Sequence, residues 1–336
     1  MEIWRNFWPE LKALLAEPVR YFTDPGERVF VLYLATALAC AIVVYVVARW
    51  RDPARTPDRI LAYLFPRRVF LHPSAKADYA FFIVDRILSF LFIPFFVILV
   101  PMVGGPVYRL LVALFGEPAQ PLLAPGMATN LLVTLLSVLA VDFALWWIHY
   151  LHHRIPVLWE FHKVHHSAEV MTPLTAYRMH PVEIILNLNL TGIVSGVMIA
   201  LFQYFTSHSA VIYTVVGVDI ITFLFLLFGF NLRHSHIPMA YPRSLSHILV
   251  SPWMHQVHHS CEKRHIDKNM GFIFAIWDWA FGTLYVPRRG ETFALGLDSG
   301  EAPKFHSVLA MYWRPFRNII SRLGHEDAAD SSPKSP

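Results

Sequence analysis

The feature that most constrains the fold is an apolar run at residues 29–48, which holds twenty residues without a charge, a proline or a glycine. At a rise of about 1.5 Å per residue, a helix of this length spans about 30 Å, the thickness of the hydrocarbon core of a bilayer. Only 15% of the residues are charged and 55% are hydrophobic, whereas an ordinary soluble domain has about 25% charged residues. The sequence therefore predicts an integral membrane protein.

Four further apolar segments are candidate membrane crossings: residues 87–103, 131–148, 184–202 and 210–230. The first of them contains Pro94 and Pro101, which a membrane helix tolerates when neighbouring groups satisfy the freed carbonyls, so we expect a kinked helix there. Residues 105–126 are expected to lie at the membrane interface. These segments predict an all-α bundle of four to five transmembrane helices, with four if the last pair forms a re-entrant hairpin.

Basic residues set the expected orientation of the bundle. Seven of them follow the first run: Arg49, Arg51, Arg55, Arg59, Arg67, Arg68 and Lys76. The positive-inside rule places this loop in the cytoplasm, and counting the crossings onward puts all the histidine motifs on the same side. We expect the inner membrane of a bacterium. Because the basic residues lie beside apolar runs, the net charge of +4 indicates membrane topology and no nucleic-acid partner.

Histidine spacing carries the chemical signal. His149 and His153 are four residues apart, and residues 162–166 and 255–259 both read H-x-x-H-H. With 18 histidines in the chain, chance would produce the five-residue motif about 0.05 times. Positions i, i+3 and i+4 share one face of a helix, so each triplet is predicted to converge on one ion. Two triplets predict two metal ions.

The histidines leave the reaction open, because neutral imidazole suits Fe, Zn, Cu and Ni. A zinc hydrolase needs only three protein ligands and a water, whereas eight or more histidines favour a two-metal site able to activate O₂. A zinc-dependent lipid amide hydrolase and a non-catalytic membrane protein are the alternatives. His236 and His265, which lie near the motifs, are left open as further ligands.

The order H-x-x-x-H, H-x-x-H-H, H-x-x-H-H resembles the sterol desaturase / fatty acid hydroxylase superfamily. Similarity extends to residues 175–183, 233–236, 267–271 and 277–283. The resemblance implies a helical membrane bundle with a cytosolic di-metal site that holds two Fe ions, for which zinc can substitute during purification. It also implies O₂-dependent hydroxylation or desaturation of a sterol, a fatty acyl chain or a related lipid.

The resemblance also implies the site residues. The expected ligands are the eight motif histidines with two additions: His149, His153, His162, His165, His166, His180, His234, His255, His258 and His259. Arg178 and Glu183 flank His180 and are expected to orient it, since metal-bound imidazoles donate their second N–H to an acceptor. Asp142, an intramembrane carboxylate, is expected to contact a ligand on another helix or to deliver protons.

Electron supply and domain limits complete the expectations. The sequence has no H-P-G-G stretch of a fused cytochrome b5 and no cysteine-rich iron–sulfur motif, so we expect a separate electron donor, namely a ferredoxin, a rubredoxin or a cytochrome. The predicted units are an interfacial segment (1–28), membrane helices with a basic loop (29–127), a catalytic domain (128–287) and a C-terminal extension (288–336). Its tail is expected to be disordered from Glu326.

Overall fold

The computed structural model describes residue 12 and residues 16–96, 98–297 and 300–330, and this part of the chain is mostly helical. Its α-helices from Val31 onward are α1 (Val31–Arg51), α2 (Ile60–Leu64), α3 (Arg67–Phe70), α4 (Pro73–Phe96), α5 (Val100–Phe115), α6 (Met127–Arg154), α7 (Pro156–His166), α8 (Pro181–Thr206), α9 (Ile220–Leu227), α10 (Pro252–His258), α11 (Ile276–Ala280) and α12 (Val308–Asp330). Strands β1 (Thr214–Val215) and β2 (Val218–Asp219) form a small antiparallel hairpin.

Three of the described helices are long and apolar enough to cross a membrane, namely α1, α6 and α8. They contain residues 31–48 of the first predicted crossing and all of the crossings predicted at residues 131–148 and 184–202, because each run is predominantly apolar and has no proline. Helix α6 has 28 residues and is about 42 Å long. Since the hydrocarbon core is about 30 Å thick, one end of α6 must project beyond it. The helices are those of an integral membrane protein, and the total of four to five crossings stays a prediction.

The predicted single span at residues 87–103 is wrong, because the chain forms two helices there. Helix α4 ends at Phe96 and α5 begins at Val100, with Pro101 in its first turn. The backbone N–H groups of the first turn make no hydrogen bond within a helix, so proline, which lacks this N–H, is tolerated there. Between them, the backbone N–H of Ile98 donates to Oδ1 of Asn189 at 2.6 Å. A side chain of α8 therefore stabilises the break. Helix α5 also includes the first part of the segment expected at the interface.

The predicted span at residues 210–230 is also wrong as a continuous helix. The hairpin pairs Val215 with Val218, and its turn residues Val216 and Gly217 both have positive φ. Helix α9 begins immediately afterwards, because Oδ1 of Asp219 accepts a hydrogen bond from the N–H of Thr222 at 2.8 Å and caps it. Its eight residues extend about 12 Å, which is too short to cross.

Helix α12 packs against α4 and α7 and continues to Asp330. It therefore includes the first five residues of the tail that was expected to be disordered from Glu326. Residues 331–336 lie outside the described residues, as does half of the expected N-terminal interfacial segment, namely residues 1–11 and 13–15.

Close packing of α5 against α8 depends on glycine. A Cβ added to Gly104 would lie 3.2 Å from the carbonyl oxygen of Gly196, and one added to Gly192 would overlap the carbonyl oxygen of Ile98. Small residues allow helix backbones to approach in this way in membranes. The contact brings α8 into the position from which it supplies part of the site described below.

We predict that Gly192→Ala lowers the free energy of unfolding by about 1–3 kcal/mol, because backbone atoms cannot yield to the new methyl group. Gly105→Ala is the matched control, since its Cβ would lie 3.5 Å from the nearest atom, on Arg109. Unfolding of both variants in detergent, followed by circular dichroism, measures the difference. Equal stability of the two variants would contradict the prediction.

Candidate metal centre

The first two histidine motifs lie on either side of the turn between α6 and α7. Helix α6 carries His149 and His153 near its end and stops at Arg154, because Ile155 precedes Pro156 and a residue before proline avoids the α conformation. Pro156 then begins α7, a position that suits its fixed φ. Helix α10 likewise starts with proline, and the hydroxyl oxygen of Ser251 accepts from the N–H of Met254 to cap it.

Nine histidines form two groups in which the potential ligand atoms of each group all lie within 4.8 Å of one another. Seven of the rings are buried and two are half-buried. The first group, here called the five-histidine group, contains His149, His153, His162, His166 and His258. The second, the four-histidine group, contains His165, His234, His255 and His259.

The spacing of the ring nitrogens fits a metal ion in each group. Two ligands about 2.1 Å from one ion lie about 3.0–3.4 Å apart when they subtend 90–109°. In the five-histidine group, Nε2 of His162 lies 3.0 Å from Nε2 of His149 and 3.1 Å from Nε2 of His166. In the four-histidine group, the Nε2–Nε2 distances are 3.0 Å from His234 to His255 and 3.4 Å from His234 to His165.

The hydrogen bonds made by Nδ1 strengthen this assignment. In the five-histidine group the Nδ1 contacts are His149 with the carbonyl oxygen of Met270 at 2.8 Å, His162 with Oε1 of Glu183 at 2.8 Å, His258 with the carbonyl oxygen of Lys268 at 2.8 Å, and His153 with Oδ1 of Asp267 at 3.3 Å. A ring that donates from Nδ1 is left with a lone pair on Nε2. The Nε2 lone pairs therefore face one another, and a cation between them removes the repulsion.

Two buried Nε2 atoms, those of His153 and His258, have no hydrogen-bond partner among the described residues. Burial holds the pKa of His258 well below its usual range, and neighbouring histidines lower it further. Burial also lowers the pKa of His165 to about 3. The rings are therefore neutral, which is the form that binds metals.

Each H-x-x-H-H triplet is divided between the two groups, so the prediction that one triplet holds one ion is wrong. In both triplets, positions i and i+4 join one group and position i+3 joins the other: His165 leaves His162 and His166, and His258 leaves His255 and His259. The reason is that i+3 and i+4 differ by about 100° around a helix. Each motif thus contributes to both groups, which must lie side by side.

The family model for fatty acid hydroxylases matches residues 134–283. All nine grouped histidines lie in this range. Residues 134–283 belong to the fatty acid hydroxylase family. The resemblance to the sterol desaturase / fatty acid hydroxylase superfamily is thereby confirmed, and no solved structure matches the chain significantly.

Within this hydroxylase segment, His180 is not brought into either group, contrary to expectation. It precedes α8, where its Nδ1 accepts from the N–H of Val182 at 3.1 Å and its Nε2 donates to the carbonyl oxygen of Tyr312 at 3.1 Å. Both ring nitrogens are thus engaged by the backbone, and His180 caps the helix. His236 and His265 also lie outside the groups, bonded to the carbonyl oxygen of Tyr63 and to Ser260 respectively.

Asp142 does not contact a grouped histidine, so its expected role beside a ligand is wrong. Its carboxylate accepts hydrogen bonds from the N–H of Ile273 at 2.7 Å, the N–H of Phe274 at 3.1 Å and Nε1 of Trp277 at 2.9 Å. These bonds attach the segment before α11 to α6. Asp142 therefore positions the loop that precedes α11.

Arg178 and Glu183 do not orient His180 either. The guanidinium of Arg178 is buried against Asp78, with Nη1 donating to Oδ1 at 2.7 Å, while its backbone carbonyl accepts from Nδ1 of His165 at 3.2 Å. Glu183 accepts from His162. Both residues thus position grouped histidines, Arg178 contacting His165 and Glu183 contacting His162, and neither contacts His180.

The loop at residues 267–271 holds functional groups that sequence reasoning misses. It supplies the oxygens that face His149, His153 and His258. Asp267 and Asn269 both have φ of 57°, and Asp278 accepts from the backbone N–H groups of the next two residues, Met270 at 2.8 Å and Gly271 at 2.9 Å. The only sequence signal is the family similarity at these positions, because backbone carbonyls have no side-chain signature.

We predict that Glu183→Leu weakens metal binding by the five-histidine group about 10–100-fold, because His162 loses the acceptor that sets its tautomer and orientation. Glu183→Gln should weaken it less, since an amide oxygen still accepts. Glu169→Gln is the control, because that carboxylate pairs with His306 at 2.6 Å, outside both groups. Chelator competition followed by metal analysis measures the affinity, and an unchanged affinity in Glu183→Leu would contradict this role.

His180→Ala is predicted to keep the same number of metal ions per chain as the unsubstituted protein. Its loss removes two hydrogen bonds and should cost about 1–3 kcal/mol of stability. Elemental analysis and thermal unfolding of the same preparation measure both effects. Loss of one metal ion per folded chain would show that His180 is a ligand.

Proposed function

We propose that the chain is a membrane-bound oxygenase that uses two Fe ions and O₂ to hydroxylate or desaturate a lipid. The observation that carries the proposal is the adjoining arrangement of the two groups. The rings of His166 and His259, from different groups, stack with centroids 4.8 Å apart. Two ions bound by adjoining groups could act on one small molecule.

Neutral imidazole suits iron, and the family match supports lipid hydroxylation as the reaction class. When bound, the two irons would supply activation of O₂ and an oxidant able to attack an unactivated C–H bond. The residues of the chain would hold these ions in a buried site: nine histidines offer nitrogen ligands, and Glu183 together with the 267–271 loop fixes the tautomers of His162, His149 and His258.

The location of the groups favours a lipid substrate. His149 and His153 lie at the end of α6, and Glu183 lies at the start of α8, both of which are apolar enough to cross a membrane. A hydrocarbon chain in the bilayer can approach the groups without entering water. We propose that this end of the helices faces the cytoplasm of a bacterium, because of the basic residues after α1.

We also propose a separate electron-donor protein, a ferredoxin, a rubredoxin or a cytochrome. Reduction of O₂ requires electrons that a histidine site does not provide, and the sequence has no haem-binding or cysteine-rich cluster motif. A cytoplasmic site would allow a soluble donor to reach it.

The purified protein, handled anaerobically, is predicted to hold two metal ions per chain. In lipid vesicles with iron, a chemical reductant and lipid extract, it should yield a product one oxygen heavier or two hydrogens lighter, detected by mass spectrometry. His165→Ala should lower metal content and abolish the product, because His165 belongs to the four-histidine group. His306→Ala, outside both groups, is the matched control.

Isotopically labelled O₂ separates the candidate reactions. Label in the product supports hydroxylation, and loss of two hydrogens without label supports desaturation. Release of a fatty acid from a lipid amide by the zinc-loaded protein without O₂ would overturn the proposal in favour of a hydrolase. Full activity of His165→Ala would exclude the metal groups from the reaction.

A further inference from the structure

Helix α12 has four exposed apolar side chains on one face, here called the apolar stripe: Leu309, Trp313, Phe316 and Ile320. They are spaced by four, three and four residues, so at about 100° per residue they fall within a sector of about 60°. Their exposed fractions are 77%, 59%, 39% and 64% respectively. Large apolar side chains that share a face and remain this exposed mark a surface that contacts a membrane or another molecule.

The other faces of α12 differ from the stripe. Met311 is fully buried and packs with Phe81 of α4 and Val164 of α7. A third face carries the half-buried Arg314 and the exposed Arg317, and no residue from 302 to 325 is acidic. Helix α12 therefore has a packed face, an apolar face and a basic face. An apolar face beside a basic one is typical of a helix that lies in the membrane interface.

The contacts of α12 with the start of α8 set its depth in the membrane. The carbonyl oxygen of Tyr312 accepts from Nε2 of His180 at 3.1 Å, and the ring of Phe316 lies 5.4 Å from that of His180. His180 precedes the apolar run that begins at Ile184 by four residues, or about 6 Å along a helix axis. The middle of α12 therefore lies near the boundary between hydrocarbon and head groups, where tryptophan is enriched.

We propose that the apolar stripe of α12 lies in the membrane interface and that Arg314 and Arg317 bind the phosphates of anionic lipids. The bilayer that α8 crosses is present at the depth of the stripe, so the apolar side chains have a partner without any further protein. Guanidinium groups bind phosphate with two parallel hydrogen bonds, and the absence of acidic residues from 302 to 325 leaves nothing along this segment to repel an anionic surface.

This placement also fixes α7 relative to the membrane. Nδ2 of Asn318 donates to Oε2 of Glu160 at 2.8 Å, and Nη2 of Arg322 lies 2.7 Å from Oε1 of the same carboxylate. Glu160 is buried in α7, two residues before His162 of the five-histidine group. Helix α12 therefore joins the helix that carries three grouped histidines to the membrane surface.

Quenchers attached to lipids test the depth of the stripe. In the full chain, with Cys40→Ala and Cys261→Ala, a single Trp313→Cys or Ile320→Cys is labelled with the fluorophore NBD, and the protein is placed in vesicles of phosphatidylcholine and phosphatidylglycerol. We expect nitroxide-bearing lipids to quench these labels about three-fold more than a label at Ser321→Cys, and iodide in the water to do the reverse. Ser321 is the matched control, because it follows Ile320 and points about 100° away from it.

Vesicle composition tests the two arginines. For the label at Ile320→Cys, replacing pure phosphatidylcholine by an equal mixture with phosphatidylglycerol should raise quenching by the nitroxide lipids about two-fold, because anionic lipids attract the basic face. Arg314→Gln together with Arg317→Gln should remove this increase. Arg289→Gln is the control, because Arg289 is an exposed arginine outside α12. Size-exclusion profiles and metal content identify the folded preparations.

Equal quenching at residues 313, 320 and 321 by the lipids would overturn the placement of the stripe. Labels at 313 and 320 that neither quencher reaches, with disulfide crosslinks between chains through Trp313→Cys, would show that a second copy covers the stripe and would also overturn it. Quenching that does not respond to phosphatidylglycerol would overturn the binding of lipid phosphates by Arg314 and Arg317. None of these measurements uses lipid oxidation, so the proposed oxygenase is tested separately.

Discussion

The mutual repulsion of buried imidazole lone pairs is the constraint on which the rest of the structure depends. In the five-histidine group, backbone and carboxylate oxygens hold the protons on Nδ1, so the Nε2 atoms of His149 and His162 face each other at 3.0 Å. Such an arrangement is unfavourable without a cation, and burial prevents the rings from becoming charged instead. The surrounding helices therefore form a centre that a bound cation would stabilise, and metal affinity would then contribute to folding.

Helix geometry determines how the centre is divided. Because residues at i and i+4 point in nearly the same direction and the residue at i+3 points about 100° away from that at i+4, one H-x-x-H-H turn can serve two ions. The motif in α7 contributes His165 to the four-histidine group, and the motif around α10 contributes His258 to the five-histidine group. The two groups adjoin because they share these motifs, and each group depends on both motifs being in place.

Buried charged side chains hold the parts of the centre together without touching the metal groups. Asp142 attaches the segment before α11 to α6, Asp278 shapes the 269–271 loop, and the ion pair of Arg178 with Asp78 joins the end of α7 to α4. Removing one partner of such a pair leaves a buried charge uncompensated, which is strongly destabilising. The same few interactions therefore determine both stability and the orientation of grouped histidines such as His165, whose acceptor is the carbonyl of Arg178.

The sequence by itself determined the membrane helices α1, α6 and α8 and the identity of the motif histidines, because apolar runs and i, i+3, i+4 spacing are local properties. Only the tertiary structure decided which histidines share a group, that His180 caps a helix, and that residues 210–230 form a hairpin and a short helix. It also decided the roles of Glu183 and of the carbonyls of Lys268 and Met270. Contacts between distant segments, and bonds to backbone atoms, depend on how helices pack, and neither has a signature in residue spacing.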